Sequence, residues 1–118
     1  MSKSILKDSS FEFALDVVSI YQFLVNEQKE FVMSKQLLRS GTSVGANIRE
    51  AQNAQSNADF IHKLSISQKE CDESLYWLEL LQQSDYLAMN QFNLLHQKAN
   101  SLLKMLKSAI LTTKQKNP

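Results

Sequence analysis

Turn-forming residues are almost absent from this chain. It contains two glycines and one proline in 118 residues, and the proline is the last residue. A sheet protein needs turn residues at short intervals to connect its strands. Their scarcity therefore predicts a few long helices. A hydrophobic fraction of 43% is typical of a globular chain, and the length suits a single domain over residues 1–118.

Four segments carry apolar residues at helical spacing, at about 10–28, 34–52, 57–83 and 90–113. The clearest stripe, in the fourth segment, consists of Phe92, Leu95, Ala99, Leu102, Leu106 and Ala109. Such spacing is typical of helices packed about 20° apart in a left-handed bundle. The connectors are short, which forces neighbouring helices to run antiparallel. The sequence predicts an all-α, antiparallel, up-down-up-down four-helix bundle.

The first helix is apolar on more than one side. Its main stripe consists of Phe13, Val17, Ile20 and Leu24. Much of the remaining circumference is filled by Phe11, Leu15, Val18, Tyr21 and Val25. A helix with so broad an apolar surface needs more cover than its own bundle supplies, which predicts self-association. The capping residues Asp8, Ser9 and Ser10 predict that this helix begins near residue 10.

Cysteine usage and hydropathy indicate a cytoplasmic protein. Cys71 is the single cysteine, so no internal disulfide can form, and a reducing compartment is the simple inference. The segment Met1–Asp8 is polar and does not resemble a signal peptide. No run of about 18 apolar residues is present, so we expect no membrane span.

The charges are unevenly distributed, although the net charge of +1 is too small to indicate a nucleic-acid partner by itself. Residues 70–85 contain acids and no base, whereas residues 86–118 contain lysines and no acid. In an antiparallel hairpin, Lys98 falls opposite Asp72 and Glu73, so ion pairs between helices are one interpretation. The other keeps a lysine face free to contact nucleic acid or a partner protein, with Lys98, Lys104, Lys107 and Lys114 as the candidates.

A metal site is the enzyme hypothesis that a four-helix bundle raises first. Di-metal bundles use two Glu-x-x-His motifs and two further inward glutamates. The nearest pattern, Asp59-Phe-Ile-His62, occurs once, and His96 has no acid three positions before it. We therefore expect no metal and no cofactor.

Two other groups could carry chemistry. Glu70 and Glu73 lie one helical turn apart, but no nucleophile or phosphate loop accompanies them, which favours an ion-paired or solvated face. Cys71 falls on the apolar stripe, where it is expected to pack as a small hydrophobe. The sequence predicts no catalytic residue and a role in binding.

Two glycines of the second helix and a cluster of aromatic residues each allow two interpretations. Gly41 and Gly45 each cost roughly 1 kcal/mol within a helix, which indicates either close approach of another helix or a kink. Tyr76, Trp77 and Tyr86 cluster at one end of the bundle. They either close the core there, which is favoured, or stack on nucleobases.

A polar stripe runs along the second helix at spacings of three, four and three residues, and consists of Ser40, Ser43, Asn47 and Glu50. Arg39 lies beside it. Polar groups next to an apolar stripe suit a hydrogen-bonded contact between helices. We hypothesise that Arg39 pairs with Glu73 or Glu50 at a helix or subunit interface.

The segment from Gln36 to Glu50 resembles the signature of a bacterial family of four-helix bundles, named for proteins encoded in intervening sequences of 23S rRNA genes and also described as ribosomal-protein-like. The matching residues are Gln36, Leu37, Arg39, Ser43, Asn47, Ile48 and Glu50. The third helix resembles that of the family at Phe60, Leu64, Ile66 and Glu73. The chain departs from the pattern at Leu38, Ser40, Gly41, Gly45 and Ala51, where the family's second arginine, proline and terminal glycine are lost.

The resemblance implies an up-down bundle that assembles as a homopentamer. A related protein, the accessory variability protein of diversity-generating retroelements, binds a reverse transcriptase and nucleic acid through a basic surface. Three functions follow in order of preference: a non-enzymatic homo-oligomer associated with RNA or the ribosome, an adaptor for a partner protein such as a reverse transcriptase, and a bundle metalloenzyme. No catalytic residue is carried over from the family.

Overall fold

Four helices make up nearly all of the computed structural model, which describes the backbone of residues 2–116 and the side chains of residues 5–116. They are α1 (Ser2–Asn26), α2 (Met33–Ala51), α3 (Asn57–Gln83) and α4 (Met89–Lys116). Residues 1, 117 and 118 of the predicted domain lie outside the described part. None of these helices combines the length and apolar character that a bilayer span requires.

The helices form a closed antiparallel bundle that measures 49 × 21 × 20 Å. Each helix packs against two neighbours, in the cyclic order α1, α2, α3, α4. The positions in contact show that α1 and α2 run antiparallel. Ser10 of α1 lies against Gly45 of α2, whereas the later residue Val17 lies against the earlier residue Gly41. The predicted all-α four-helix bundle is confirmed.

The core is a single cluster of aliphatic side chains with one aromatic ring, that of Phe13. Its fully buried members include Phe13, Val17, Leu24, Leu37, Val44, Ile48, Leu64, Cys71, Leu78, Leu81, Leu95, Ala99 and Leu106. They occupy the predicted stripes, because a spacing of three and four residues returns each side chain to the same side of a helix. Phe60, Leu75 and Phe92 pack against the cluster while remaining partly exposed.

The first helix begins at Ser2, so the prediction of a start near residue 10 was wrong. Leu6 is 7% exposed and extends the core stripe one heptad before Phe13. The Ser10 hydroxyl donates to the carbonyl of Lys7 within the helix (2.9 Å) and does not cap an N-terminus. Burial of Leu6 therefore outweighs the local capping preference. The last helix is also longer than predicted, because α4 ends at Lys116 and not near residue 113.

Two helix ends follow the expected local chemistry. Ser56 caps α3, because its hydroxyl accepts from the N–H of Asp59 (3.0 Å). At its other end α3 stops at Gln83 with Ser84 as the C-cap, and Asp85 just beyond has a φ of 68°. The N–H of Tyr86 then donates to the carbonyl of Leu81 (2.9 Å), which satisfies a terminal carbonyl in a Schellman arrangement.

The connection into α2 is anchored by a buried carboxylate. Glu30 is 8% exposed. Its Oε2 accepts from the N–H groups of Val32 (3.1 Å) and Met33 (3.0 Å), and its Oε1 accepts from that of Ser34 (2.7 Å). Three free donors at the helix start are thus satisfied by one side chain. Sequence reasoning missed this cap.

Candidate interaction surfaces

The arginine of the signature segment lies between two acids of α3. Arg39 Nη1 is 3.1 Å from Glu70 Oε1, and Nη2 pairs with Glu73 Oε2. Its Nε donates to Gln36 Oε1 (3.4 Å). The structure thus places Arg39 against one of its two hypothesised partners, Glu73, and also against Glu70. It does not place Arg39 against Glu50.

Glu73 also receives a hydrogen bond from an aromatic side chain. The indole Nε1 of Trp77 donates to Glu73 Oε2 (3.0 Å). Tyr76 meets Trp77 edge to face, with ring centroids 4.9 Å apart, and is 56% exposed. Trp77 and Tyr86 pack against the core. An exposed tyrosine therefore sits beside the ion-paired cluster on α3.

Two of the remaining signature residues, Ser43 and Asn47, bond within α2, and a third, Glu50, reaches α3. The Ser43 hydroxyl donates to the carbonyl of Arg39 (2.7 Å), and Asn47 Nδ2 donates to the carbonyl of Ser43 (2.9 Å). Glu50 Oε1 pairs with Lys63 Nζ on α3 (2.9 Å), and this hydrogen bond raises the pKa of Lys63. The signature thus marks the side of α2 that faces α3.

Buried serines bring α2 and α3 together beneath these ion pairs. Ser74 Oγ donates to Ser40 Oγ (2.9 Å). About two turns before Ser74 on α3, Ser67 Oγ donates to the carbonyl of Val44 (2.8 Å). Ser40, Ser67 and Ser74 are all fully buried. The sequence interpretation placed Ser40 on a polar stripe suited to a hydrogen-bonded contact between helices, and its contact with Ser74 is of that kind. It did not identify Ser67 or Ser74 as partners.

The two glycines of α2 allow α1 to approach closely. A Cβ atom at Gly41 would lie 2.8 Å from both methyl carbons of Val17, and one at Gly45 would lie 3.3 Å from Ser10 Oγ. Neither distance leaves room for an ordinary carbon contact. Of the two interpretations of this Gly-x-x-x-Gly segment, close helix approach matches the geometry.

An apolar ridge on α1 is left uncovered beside this close contact. It consists of Phe11, Leu15 and Val18, which are 53%, 56% and 36% exposed. Their spacing of four and three residues places them on one side of the helix. Arg49 of α2 lies over the Phe11 ring, 5.7 Å from its centroid. A shallow cavity of about 470 Å³ between Phe11 and the small residues Ala14, Gly45 and Ala46 adjoins the ridge.

Lys98 forms ion pairs with acids of α1. The interpretation that it pairs with Asp72 or Glu73 of α3 was wrong. Its Nζ lies 2.8 Å from Glu12 Oε1 and also pairs with Asp16 Oδ2. The hydrogen bonds that Lys98 donates to Asp16 and Glu12 raise the pKa of Lys98, and the bond to Glu12 lowers the pKa of Glu12. The heptad pattern could not decide this, because a residue flanking the core stripe can lean toward either neighbouring helix.

The other candidate lysines remain exposed. Lys104, Lys107 and Lys114 lie on the outer side of α4, and within residues 2–116 none of them forms an ion pair. Leu111, which is 58% exposed, lies among them. The structure therefore separates Lys98 from the set and leaves a smaller lysine surface.

Comparison with known proteins assigns the family. Residues 2–108 match the family described as 23S rRNA-intervening sequence protein. The chain belongs to this family. It is also similar to a crystal structure of a protein of unknown function from the S23 ribosomal protein family of Bacteroides thetaiotaomicron, with 55% identity and a TM-score of 0.91. The similarity covers 93% of this chain and 98% of that one. No curated protein matches the chain.

In this member of the 23S rRNA-intervening sequence family, the reactive side chains are engaged structurally. Burial, aided by the charge of Asp72, raises the pKa of the Cys71 thiol to about 12, and its Sγ lies 3.2 Å from the carbonyl oxygen of Ala99. His96 Nε2 lies 3.2 Å from Glu79 Oε2. Among the described side chains, no three potential metal ligands come together.

Proposed function

We propose that this chain is a non-enzymatic, homo-oligomeric interaction protein whose copies associate through the apolar ridge of α1. The observation that carries the proposal is the exposure of Phe11, Leu15 and Val18 along one side of a helix. Isolated exposed apolar residues are ordinary, whereas a contiguous apolar patch marks an interaction site. The neighbouring cavity offers a recess for a side chain of a second copy.

The residues around the ridge support the proposal that a second copy of the chain covers it. Arg49 lies over the Phe11 ring, and the Phe11 side chain nevertheless remains half exposed. Aromatic residues and arginine are enriched where protein interfaces are most deeply buried. The ridge also lies beside α1–α2 packing that the glycines hold close, so its geometry is rigid before association. A rigid surface loses little conformational entropy when it binds.

The expected assembly is a homopentamer, as the family resemblance implies. Cyclic rings form when one surface of a copy meets a different surface of the next and the rotation closes. The non-enzymatic part of the proposal is supported by the signature side chains themselves. Arg39, Ser43 and Asn47 bond to each other's backbones or to α3, which is a structural arrangement.

Light scattering coupled to size-exclusion chromatography tests the oligomer. A pentamer has a mass of about 68 kDa, five times the 13.5 kDa of the chain. Leu15→Lys places a charge in the ridge and is expected to give a folded monomer. The matched control is Leu111→Lys, because Leu111 has nearly the same exposure, 58% against 56%, but lies on α4. A monomeric wild-type chain at micromolar concentration would refute the proposal.

Association with RNA is a second candidate, favoured by the exposed lysines of α4. Lys104, Lys107 and Lys114 have no acid partner within the described chain. Each phosphate contact adds about one to the slope of log affinity against log salt. We expect Lys104→Gln and Lys107→Gln each to flatten that slope by about one, and Lys69→Gln on α3 to leave it unchanged. No RNA binding at about 50 mM salt would exclude this candidate.

A further inference from the structure

We propose that the end of the bundle where α4 finishes binds a medium-chain amphiphile that carries a carboxylate head group. A cavity of about 460 Å³ opens there between α1, α3 and α4. This volume lies within the range of natural small-molecule sites. The site is independent of the proposed oligomer interface, because none of the three ridge residues lines it.

The inner wall of this end cavity is apolar. It is formed by Leu6, Phe60, Leu64, Met105 and Ala109. Leu6 and Leu64 belong to the buried core, whereas Phe60, Met105 and Ala109 are only partly buried. The cavity thus reaches down to the core along side chains that no other helix covers. Such a wall suits a flexible alkyl chain, because methionine and leucine side chains adapt to its shape.

The mouth of the cavity is polar and carries one charge. Gln52, Thr112 and Thr113 contribute to its lining together with Lys116. Among the described residues that line the cavity, Lys116 is the only charged one. It also lines an adjoining recess of about 430 Å³, again as the only charged residue. No acid of the described chain lines either recess, and an ammonium in such a setting favours an anionic head group over a cationic one.

The apolar inner wall of the cavity and the lysine at its mouth together indicate the class of ligand. The alkyl chain of a fatty acid would lie along Phe60 and Met105, and its carboxylate would remain at the solvent-exposed ammonium of Lys116. A fully polar anion would leave the apolar wall in contact with water. An uncharged hydrocarbon would gain nothing from Lys116. We take the occupant to be a monomeric carboxylate amphiphile, because a recess of about 460 Å³ has the size of a small-molecule site.

Isothermal titration calorimetry with octanoate, decanoate and dodecanoate, each below its micellar concentration, tests the site. We expect saturable binding of one molecule per chain. The dissociation constant should fall by up to about fourfold per added methylene until the cavity is filled. Decyltrimethylammonium should bind more weakly than decanoate. Equal affinity for the two head groups, or no binding of any of the three acids, would overturn the proposal.

Two variants locate the binding. Lys116→Gln should weaken decanoate binding about two- to fivefold, the range expected for an exposed charge, and should leave decanol binding unchanged. Lys107→Gln, also on α4 and also exposed, is the matched control and should have no effect. Ala109→Leu fills the cavity and should abolish binding. If that variant fails to fold, the comparison of the two lysine variants still decides: equal affinities would overturn the proposal.

Vesicles of phosphatidylglycerol distinguish the free ligand from a membrane. We expect the chain not to sediment with them, because the cavity admits a single alkyl chain. Sedimentation that Lys116→Gln abolishes would overturn the assignment to a monomeric ligand.

Discussion

Gly41 on α2 lies so close to Val17 on α1 that a Cβ atom at residue 41 would come within 2.8 Å of both Val17 methyl carbons. Val17 is fully buried, so it cannot swing into solvent to make room. One turn further on, the contact at Gly45 is looser, at 3.3 Å from the Ser10 hydroxyl oxygen. The separation of α1 and α2 is therefore set mainly at Gly41.

Gly41→Ala should destabilise the fold even though alanine favours helices. Overpacking costs about 1–3 kcal/mol, and the gain in helix propensity of about 1 kcal/mol offsets only part of it. Gly45→Ala is the matched control and should change the free energy of unfolding by less than about 1 kcal/mol, because the two terms nearly cancel there. Urea denaturation followed by circular dichroism measures both. Equal stabilities for the two variants would contradict this prediction.

Glu30 should give the fold a stability that depends on pH. Burial by itself raises the pKa of this carboxyl, but the hydrogen bonds from Met33, Ser34 and Val32 outweigh burial and hold the pKa below its ordinary value. A group with a depressed pKa in the folded state stabilises above its unfolded pKa of about 4.3. That contribution is lost as the pH falls through the folded pKa.

Glu30→Gln should therefore lower the free energy of unfolding at pH 7 by about 1–2 kcal/mol, the usual range for a lost cap. The difference from wild type should narrow below about pH 4, where the wild-type carboxyl becomes protonated. Glu27→Gln in the same connection is the control, since Glu27 is exposed. A difference that stays constant from pH 7 to about pH 3 would show that charge has no part in the cap.

The two acids that hold Arg39 should be distinguishable by fluorescence. Trp77 is the only tryptophan, and its indole donates to Glu73 but not to Glu70. Glu73→Ala should shift the Trp77 emission to longer wavelength as water reaches the indole, whereas Glu70→Ala should leave the emission unchanged. Because Arg39 is 48% exposed, either change should cost less than about 1 kcal/mol of stability. Identical spectra for both variants would contradict the arrangement.

Cys71 should not react with thiol reagents in the folded state. Its pKa of about 12 keeps the thiol protonated at pH 8, and its side chain is fully buried. The reactive thiolate is therefore both scarce and inaccessible. We expect labelling by a disulfide reagent only after urea unfolds the chain. Ser101→Cys, exposed on α4, should label at once in a Cys71→Ala background and so shows that the reagent is competent. Rapid labelling of native wild type would contradict the burial of Cys71.

Much of the bundle could be predicted because helices are encoded locally. The number of helices, their order and most core residues follow from apolar spacing, as for Leu37, Val44 and Ile48 on α2. The beginning of α1 could not be predicted in this way. Local caps at residues 8–10 indicated a later start, and only the core formed by other helices shows that Leu6 gains enough by burial to extend the helix.

The sequence could narrow the ion-pair partner of a charged residue only where a single neighbouring helix lay within reach of its side chain. For Arg39 the sequence offered Glu73 or Glu50, and the structure places it against Glu73 and also against Glu70, which the hypothesis did not name. For Lys98 the sequence left open either pairing with acids of α3 or a free lysine face, but Lys98 pairs with Glu12 and Asp16 of α1. Heptad spacing places such a residue at the edge of the core stripe, and the rotation of the helix then decides which neighbour it meets.

The sequence by itself determined four amphipathic helices, their antiparallel order and a first helix with apolar residues on more than one side. The tertiary structure decided which side of α1 stays exposed, why Gly41 must lack a side chain and which carboxylates each cation meets. The physical reason is a difference in range. Helix formation and amphipathicity depend on residues three or four positions apart, whereas distances such as that between Val17 and Gly41 exist only after the helices have packed.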